Sequence, residues 1–260
     1  MKTYTIKNRG FSPSSLASKA LIIILWIVLS RIIDNEIILP TISSTLEALV
    51  KVIKKPEFIN ILGHSILRSL IGFIISLVIA IVIGILSKFS KFVHDLMVPV
   101  VRFLSTTPTI AIIILALIWF SNEIVPLIVG FIMVFPVLYE TVLKSIINVD
   151  NKILEMAEVY NVNRFNIVKE IYLPSIFISL GNILSSSIGI NLKMVIAGEV
   201  LSQPKYAIGS NLQIQKMYLN TPGVFAWIII ILVISKMFEY LMKGLVSCIK
   251  SRTYLNSLES

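Results

Sequence analysis

The 260-residue chain is 56% hydrophobic and only 14% charged. Soluble domains carry about 25% charged residues, so this composition excludes an ordinary soluble fold and points to an all-α polytopic membrane protein, whose helices satisfy their own backbone polar groups. The net charge of +9 does not signal a nucleic-acid partner, because Lys and Arg fall between apolar runs with no interleaved aromatic platform and read as topology signals.

Six spans are predicted in chain order. The first, Ala20 to Ile33, follows Lys19 and contains Arg31. It has the look of a signal peptide, but RIIDNEIILP follows without a small-residue cleavage pattern, so it is expected to remain a membrane helix. Ile61 to Leu86, Thr107 to Phe120, Ile124 to Ile147, Leu173 to Val200 and Val224 to Ser247 are the other five, each set by an apolar run near span length. The third is short. The preceding HDLMVPVVRFLSTTP is apolar enough to add a helix at membrane depth, with Pro99 and Pro108 expected to break or kink it. Asp34 to Asn60 and Leu201 to Pro222 are short for domains and read as amphipathic elements at the interface.

The basic residues set an orientation. Lys2, Lys7, Arg9 and Lys19 share a side with Lys88, Lys91, Lys144, Lys152, Arg164, Lys169, Lys243, Lys250 and Arg252, whereas Lys51, Lys54, Lys55, Lys205 and Lys216 opposite them are mixed with Asp34, Glu36, Glu47, Glu57 and Glu123. The positive-inside bias then predicts cytoplasmic tails at 1–19 and 249–260, a membrane domain over 20–248, and a cytoplasmic loop at 149–170 in a multi-pass protein of the plasma membrane.

Catalytic and metal chemistry find no support in the chain. The single Cys248 excludes an intrachain disulfide and is expected to be a buried thiol, and His64 and His94 lack metal-ligand spacing. There is no GxxxxGK[ST] phosphate loop and no Ser/His/Asp or Cys/His set, so no catalytic residue and no metal ligand is assigned.

The charged segment VDNKILEMAEVYNVNRFNIVKEIYLP, Val149 to Pro174, stands out between two apolar runs. Asp150 suits a helix N-cap, with Glu155 and Glu158 placed early in the helix where they complement its dipole. Met156, Val159 and Tyr160 form an apolar stripe at helical spacing. Asn161 tolerates left-handed backbone and is expected to end this helix before a second begins at Asn163 or Arg164 and runs through Ile171 and Leu173 to Pro174. Pattern alone leaves a docking element and a solvated loop open.

That segment resembles the cytoplasmic signature of binding-protein-dependent ABC importer permeases, a Glu-Ala-Ala, three residues, a Gly, and then about nine residues to an Ile/Val-x-Leu-Pro. Glu155, Met156 and Ala157 hold the first positions, Asn161 the glycine, and Ile171, Leu173 and Pro174 the end; Met156 and Asn161 depart from the pattern. HSILRSLIGFIISLVIAIVIGIL (with Ser65, Arg68, Gly72 and Gly84), LSTTPTIAIIILALIWF and GEVLSQPKYAIGSNLQ are similar to stretches of the sulfonate, taurine and nitrate subgroup, over roughly Leu39 to Lys243. The resemblance implies a six-helix permease that pairs with a second copy. It further implies a coupling loop (Glu155, Met156, Ala157, Glu158, Tyr160, Asn161, Arg164, Leu173 and Pro174) docked on separate ATP-binding cassette subunits. ATP and magnesium would bind those subunits, and an extracellular binding protein would deliver the solute.

Charged residues at membrane depth need a partner or water. Arg68, Arg102, Glu140, Lys193, Glu199, Lys236 and Glu239 are such residues; snorkelling or structural pairing is expected for most, with Lys236 and Glu239 pairing within one helix and Glu140 lying deepest. The fifth span carries a polar thread of Asn182, Ser185, Ser186, Ser187, Asn191 and Lys193 near Gly181, Gly189 and Gly198. Close helix packing explains it. The other reading has Asn191 and Lys193 lining a translocation pathway with Thr106 and Thr107, a positive, hydroxyl-rich wall for an anionic solute such as a sulfonate, taurine or nitrate. The alternative to an importer subunit is a stand-alone secondary transporter or channel, for which paired carboxylates or matching broken halves are expected and not evident.

Overall fold

The computed structural model describes residues 13–256. The expectations for the outermost tail residues, and for the Cys248 side chain, lie outside the described residues. All regular structure in them is helical: α1 (Pro13–Ile33), α2 (Ile42–Ile53), α3 (Phe58–Phe89), α4 (Lys91–Thr106), α5 (Thr109–Trp119), α6 (Val125–Ile147), α7 (Asn151–Val159), α8 (Arg164–Ile167), a π-helical turn (Val168–Tyr172), α9 (Leu173–Ser202), α10 (Ile208–Met217) and α11 (Thr221–Asn256). Among the described residues four stretches are long and apolar enough to cross a membrane: α3, α6, the run Arg164–Ser202, and Thr221–Gly244 of α11. α4 and α5 form a fifth as a pair bent by 105°. With the apolar α1 this is compatible with six.

The bend corrects the expectation for the third span. α5 has 11 residues, about 16 Å at 1.5 Å per residue, too short to cross a ~30 Å core. Thr107, forced toward extended backbone by the following proline, sits at ψ 131, and Pro108 opens α5. Pro99 neither breaks nor ends α4, since its fixed φ is helical and it removes one amide bond.

The chain divides into two compact units, residues 1–55 with 214–229 and residues 56–213 with 230–260. In the first, the Trp26 indole donates to the Pro40 carbonyl (3.0 Å), Thr221 donates to the Ile37 carbonyl (2.6 Å), and Thr41 caps α2 by accepting from the Ser44 amide (3.1 Å). Leu21, Ile22, Ile24 and Leu25 of α1 stay exposed, as lipid-facing residues do.

The second unit is built on α3, α6 and α9. In α3 the small and polar positions Ser65, Ser69, Gly72, Ser76, Ala80 and Gly84 are buried, while Ile74, Val78 and Val82 are exposed. This reverses a soluble helix: lipid takes the large apolar side chains, and small residues allow backbones to approach. Ser76 donates to the Phe131 carbonyl (3.0 Å) and Ser87 hydrogen-bonds Tyr139 (2.9 Å), fastening α3 to α6. Ser175 donates to the Ser145 carbonyl (2.9 Å), fastening α9 to α6. Gly130 faces α9 so closely that an added Cβ would lie 2.7 Å from Val195 Cγ2 and 2.9 Å from Asn191 Nδ2. Gly130→Ala is therefore expected to destabilise the bundle by about 1–3 kcal/mol, read as a lowered unfolding midpoint in detergent.

Candidate functional site

The α7–α8 loop is assembled by local capping. Asp150 accepts from the Lys152 amide (3.0 Å), starting α7. At its end Asn161 has φ 50, its amide donates to the Glu158 carbonyl (3.0 Å), and the Val162 amide donates to the Ala157 carbonyl (2.9 Å). These two bonds are a Schellman motif, with Asn161 in the left-handed position usually held by glycine. Asn163 then caps α8 through the Phe165 amide (3.3 Å). Because a residue with a Cβ pays about 1–2 kcal/mol in left-handed backbone and Asn less, Asn161→Ala is expected to loosen this turn by about 1 kcal/mol. Asn161→Gly should hold it. Hydrogen exchange at the Asn161 and Val162 amides reads the difference.

From α8 the chain enters the membrane helix without a break. Pro174 has no amide to donate to the Glu170 carbonyl, and its ring crowds that carbonyl. The turn before it relaxes to π geometry, with the Leu173 amide donating to the Val168 carbonyl. α8, the π turn and α9 thus form one 39-residue rod.

The face of the loop is apolar and uncovered. Ala157 is buried, but Met156, Val159, Tyr160 and Phe165 are 57%, 79%, 76% and 70% exposed. Glu155, Glu158, Asn161 and Arg164 are exposed around them, and Leu173 and Pro174 stand half-buried at the start of α9.

Of the four pathway candidates, Lys193 lines a groove and Asn191 is sealed between helices. Thr106 and Thr107 turn their hydroxyls back onto α4, donating to the Arg102 (2.9 Å) and Phe103 (2.7 Å) carbonyls. Asn191 is fully buried; its Oδ1 accepts from Ser69 (2.8 Å) and its Nδ2 lies where Gly72 and Gly130 leave room. Lys193, two residues on and so about 200° around the helix, is exposed and lines a groove with Ser185, Ser186, Gly189, Ile190, Ser235, Glu239 and Lys243. Glu140, read from sequence as the deepest carboxylate, is exposed on the side of α6 and paired with Lys144 (2.9 Å). Lys236 and Glu239 pair as expected (2.7 Å).

One constellation escaped the sequence reading. Glu199 is fully buried and its carboxylate accepts from Ser65 Oγ (2.7 Å), Arg68 Nη1 (3.1 Å) and the Gly209 amide (3.0 Å). Arg68 also donates to the Tyr206 carbonyl (2.9 Å) and to Glu123, and Ser65 accepts from the Ile208 amide (3.0 Å). Arg68 and Glu199 were legible as charges at membrane depth, and their opposite signs near the same end of two spans were the signal. Partial burial pushes the Glu123 carboxyl up, but the Lys205 amide (3.0 Å) and Arg68 outweigh it and hold it below its ordinary value of 4.5. A carboxylate lowered on folding stabilises above its unfolded pKa, and the effect is lost as pH falls through the folded value. Glu123→Gln should therefore flatten the acid limb of a melting-temperature profile.

An all-helical bundle with several helices long and apolar enough to cross a membrane, one of them fused to an exposed amphipathic loop, is the architecture of a polytopic membrane protein. The chain belongs to the binding-protein-dependent transport system inner membrane components, the ABC transporter permeases, whose family model matches residues 76–250. It is 29% identical over 224 residues to a Bacillus subtilis protein named as an aliphatic sulfonates transport permease, SsuC, covering 84% of this chain and 79% of that one. It is 28% identical over 201 residues to a Methanocaldococcus jannaschii protein named as an ABC transporter permease, covering 73% of each. A Brucella melitensis protein of the same description is 24% identical over 222 residues, covering 84% of this chain and 88% of that one.

Proposed function

We propose that this permease is the membrane subunit of an ATP-driven importer for a small anionic solute, and that α7 is the element through which a separate cassette ATPase drives it. The observation that carries this reading is the uncovered apolar patch on α7, joined by the Asn161 turn and the π turn to a membrane rod. A loop serving only to connect two spans has no need of a stripe such as Met156, Val159 and Tyr160 in water, where burial in a partner's groove gains roughly 25 cal/mol per Å². The positive-inside bias of Lys144, Lys152, Arg164 and Lys169 favours a cytoplasmic loop and cytoplasmic termini, on the side where ATP is available.

In this reading two copies of the chain pair, each α7 seated on one ATPase. ATP and magnesium bind the ATPases, whose closure displaces α7, and the rigid path through α8 and the π turn moves α9, which alternates access to the pathway. An extracellular binding protein supplies the solute. The sulfonate, taurine or nitrate class is favoured by the sulfonates in the name of SsuC.

The test is reconstitution of the permease with cassette ATPase and binding protein in proteoliposomes, with radiolabelled ethanesulfonate as the probe. Uptake is expected to require ATP on the cytoplasmic face and to survive collapse of ion gradients by ionophores. Uptake by the permease alone, driven by a gradient and indifferent to ATP, would establish the secondary-transporter alternative.

A further inference from the structure

We propose that the groove between α9 and α11 is a binding subsite for a small organic monoanion with an oxyanion head, held by Lys193 and Lys243 and by the hydroxyls of Ser185 and Ser235. The proposal rests on the importer reading above and locates the solute within it. The groove has a volume of about 430 Å³, in the range of small-molecule sites.

Depth comes first. Gly189 lies about 24 Å along α9 from Leu173, and Ser235 about 21 Å along α11 from Thr221, at 1.5 Å per residue. The two helices meet at this level, where a Cβ on Gly189 would stand 3.8 Å from Ser235 Oγ. Gly189 and Ser235 are therefore near the middle of both spans, while Lys243, one residue from the end of the α11 span, lines the groove where it opens toward the membrane surface. Charges at such depth face water or protein rather than hydrocarbon, yet Lys193 is exposed and has no ion-pair partner among the described residues.

Charge comes second. Glu239 is shared by Lys236 (2.7 Å) and Lys243 (2.6 Å), so one carboxylate answers two ammonium groups and Lys193 is left uncompensated. Among the described residues the Ser185 and Ser235 hydroxyls have no hydrogen-bond partner, whereas Ser186 donates back to the Ile183 carbonyl (2.8 Å). The groove thus offers donors and positive charge in excess of acceptors. A monoanion with several oxygens supplies what is missing; a cation or a neutral sugar does not. The same balance moves the binding role away from Asn191, which is sealed between helices.

The test uses the assembled transporter in membranes, with Cys248→Ser and a single new thiol at Ser235→Cys, and with Ser185→Cys as an independent second reporter. The probes are the anionic ethylsulfonate and cationic ethyltrimethylammonium methanethiosulfonates, each normalised to its rate with a free thiol. The anionic reagent is expected to react about tenfold faster, as focusing by surplus positive charge allows. Methanesulfonate should slow it, and adding Lys193→Met should erase the preference. Equal rates, a preference for the cation, or no labelling at either position overturns the proposal. Ethanesulfonate uptake by the parent transporter separates the two readings. Selective labelling without ATP-driven uptake leaves the groove and removes the importer; uptake with unselective labelling does the reverse.

Discussion

Replacing Arg68 with Met is expected to destabilise the protein by about 3–5 kcal/mol, the range for removing one partner of a buried ion pair. Glu199 has no solvent to fall back on and, with Arg68 gone, keeps only Ser65 and the Gly209 amide as donors. The 203–208 connection loosens with it, because Arg68 also holds the Tyr206 carbonyl. Glu199→Gln should cost less, about 1–2 kcal/mol, since an amide still accepts a hydrogen bond and Arg68 keeps Glu123 and Tyr206. Combining Arg68→Met with Glu199→Leu should recover much of the loss, because both charges leave together. Unfolding of the parent, Arg68→Met, Glu199→Leu and the double variant in one detergent gives the cycle, with Glu199→Gln measured beside it. A loss below about 1 kcal/mol for Arg68→Met, the level of an exposed pair, would mean that the cluster is open to water.

Placing carboxylates in the α7 patch, as Val159→Asp with Tyr160→Asp, should leave the permease folded while weakening its hold on the cassette ATPase about a hundredfold, or about 3 kcal/mol. Both side chains are more than three-quarters exposed. Exposed substitutions usually change stability by about 0.5 kcal/mol or less, so the two effects separate. The Asn161→Ala turn variant should fall between, since it displaces the patch without changing its chemistry. Titration of the ATPase onto immobilised permease, with melting of the same preparations, measures both quantities. An ATPase affinity that survives the double substitution would return α7 to the status of a solvated loop.

Much of this was readable in the residues. The long apolar runs marked α3, α6, α9 and α11 because hydrocarbon leaves a helix few alternatives. Asp150, Asn161 and Asn163 announced the caps and turn of the loop through local hydrogen bonding alone. What escaped was long-range or conditional. Arg68 and Glu199 are separated by 131 residues, and one sequence says nothing about which helices meet. The π turn arises from a conflict between Pro174 and the carbonyl four residues earlier, and a proline in the sequence does not announce a changed hydrogen-bond register. The division between Asn191 and Lys193 was available in principle: two residues apart on a helix face opposite ways. Grouping them by polarity set that geometry aside.

If α7 touches the ATPase, a photocrosslinker at Tyr160 reports the contact directly. With benzoylphenylalanine at that position in the assembled transporter, illumination is expected to join the permease to the cassette ATPase, with a yield that changes when ATP is trapped. Adducts to lipid or water quenching alone, with no ATPase product in either nucleotide state, would contradict it.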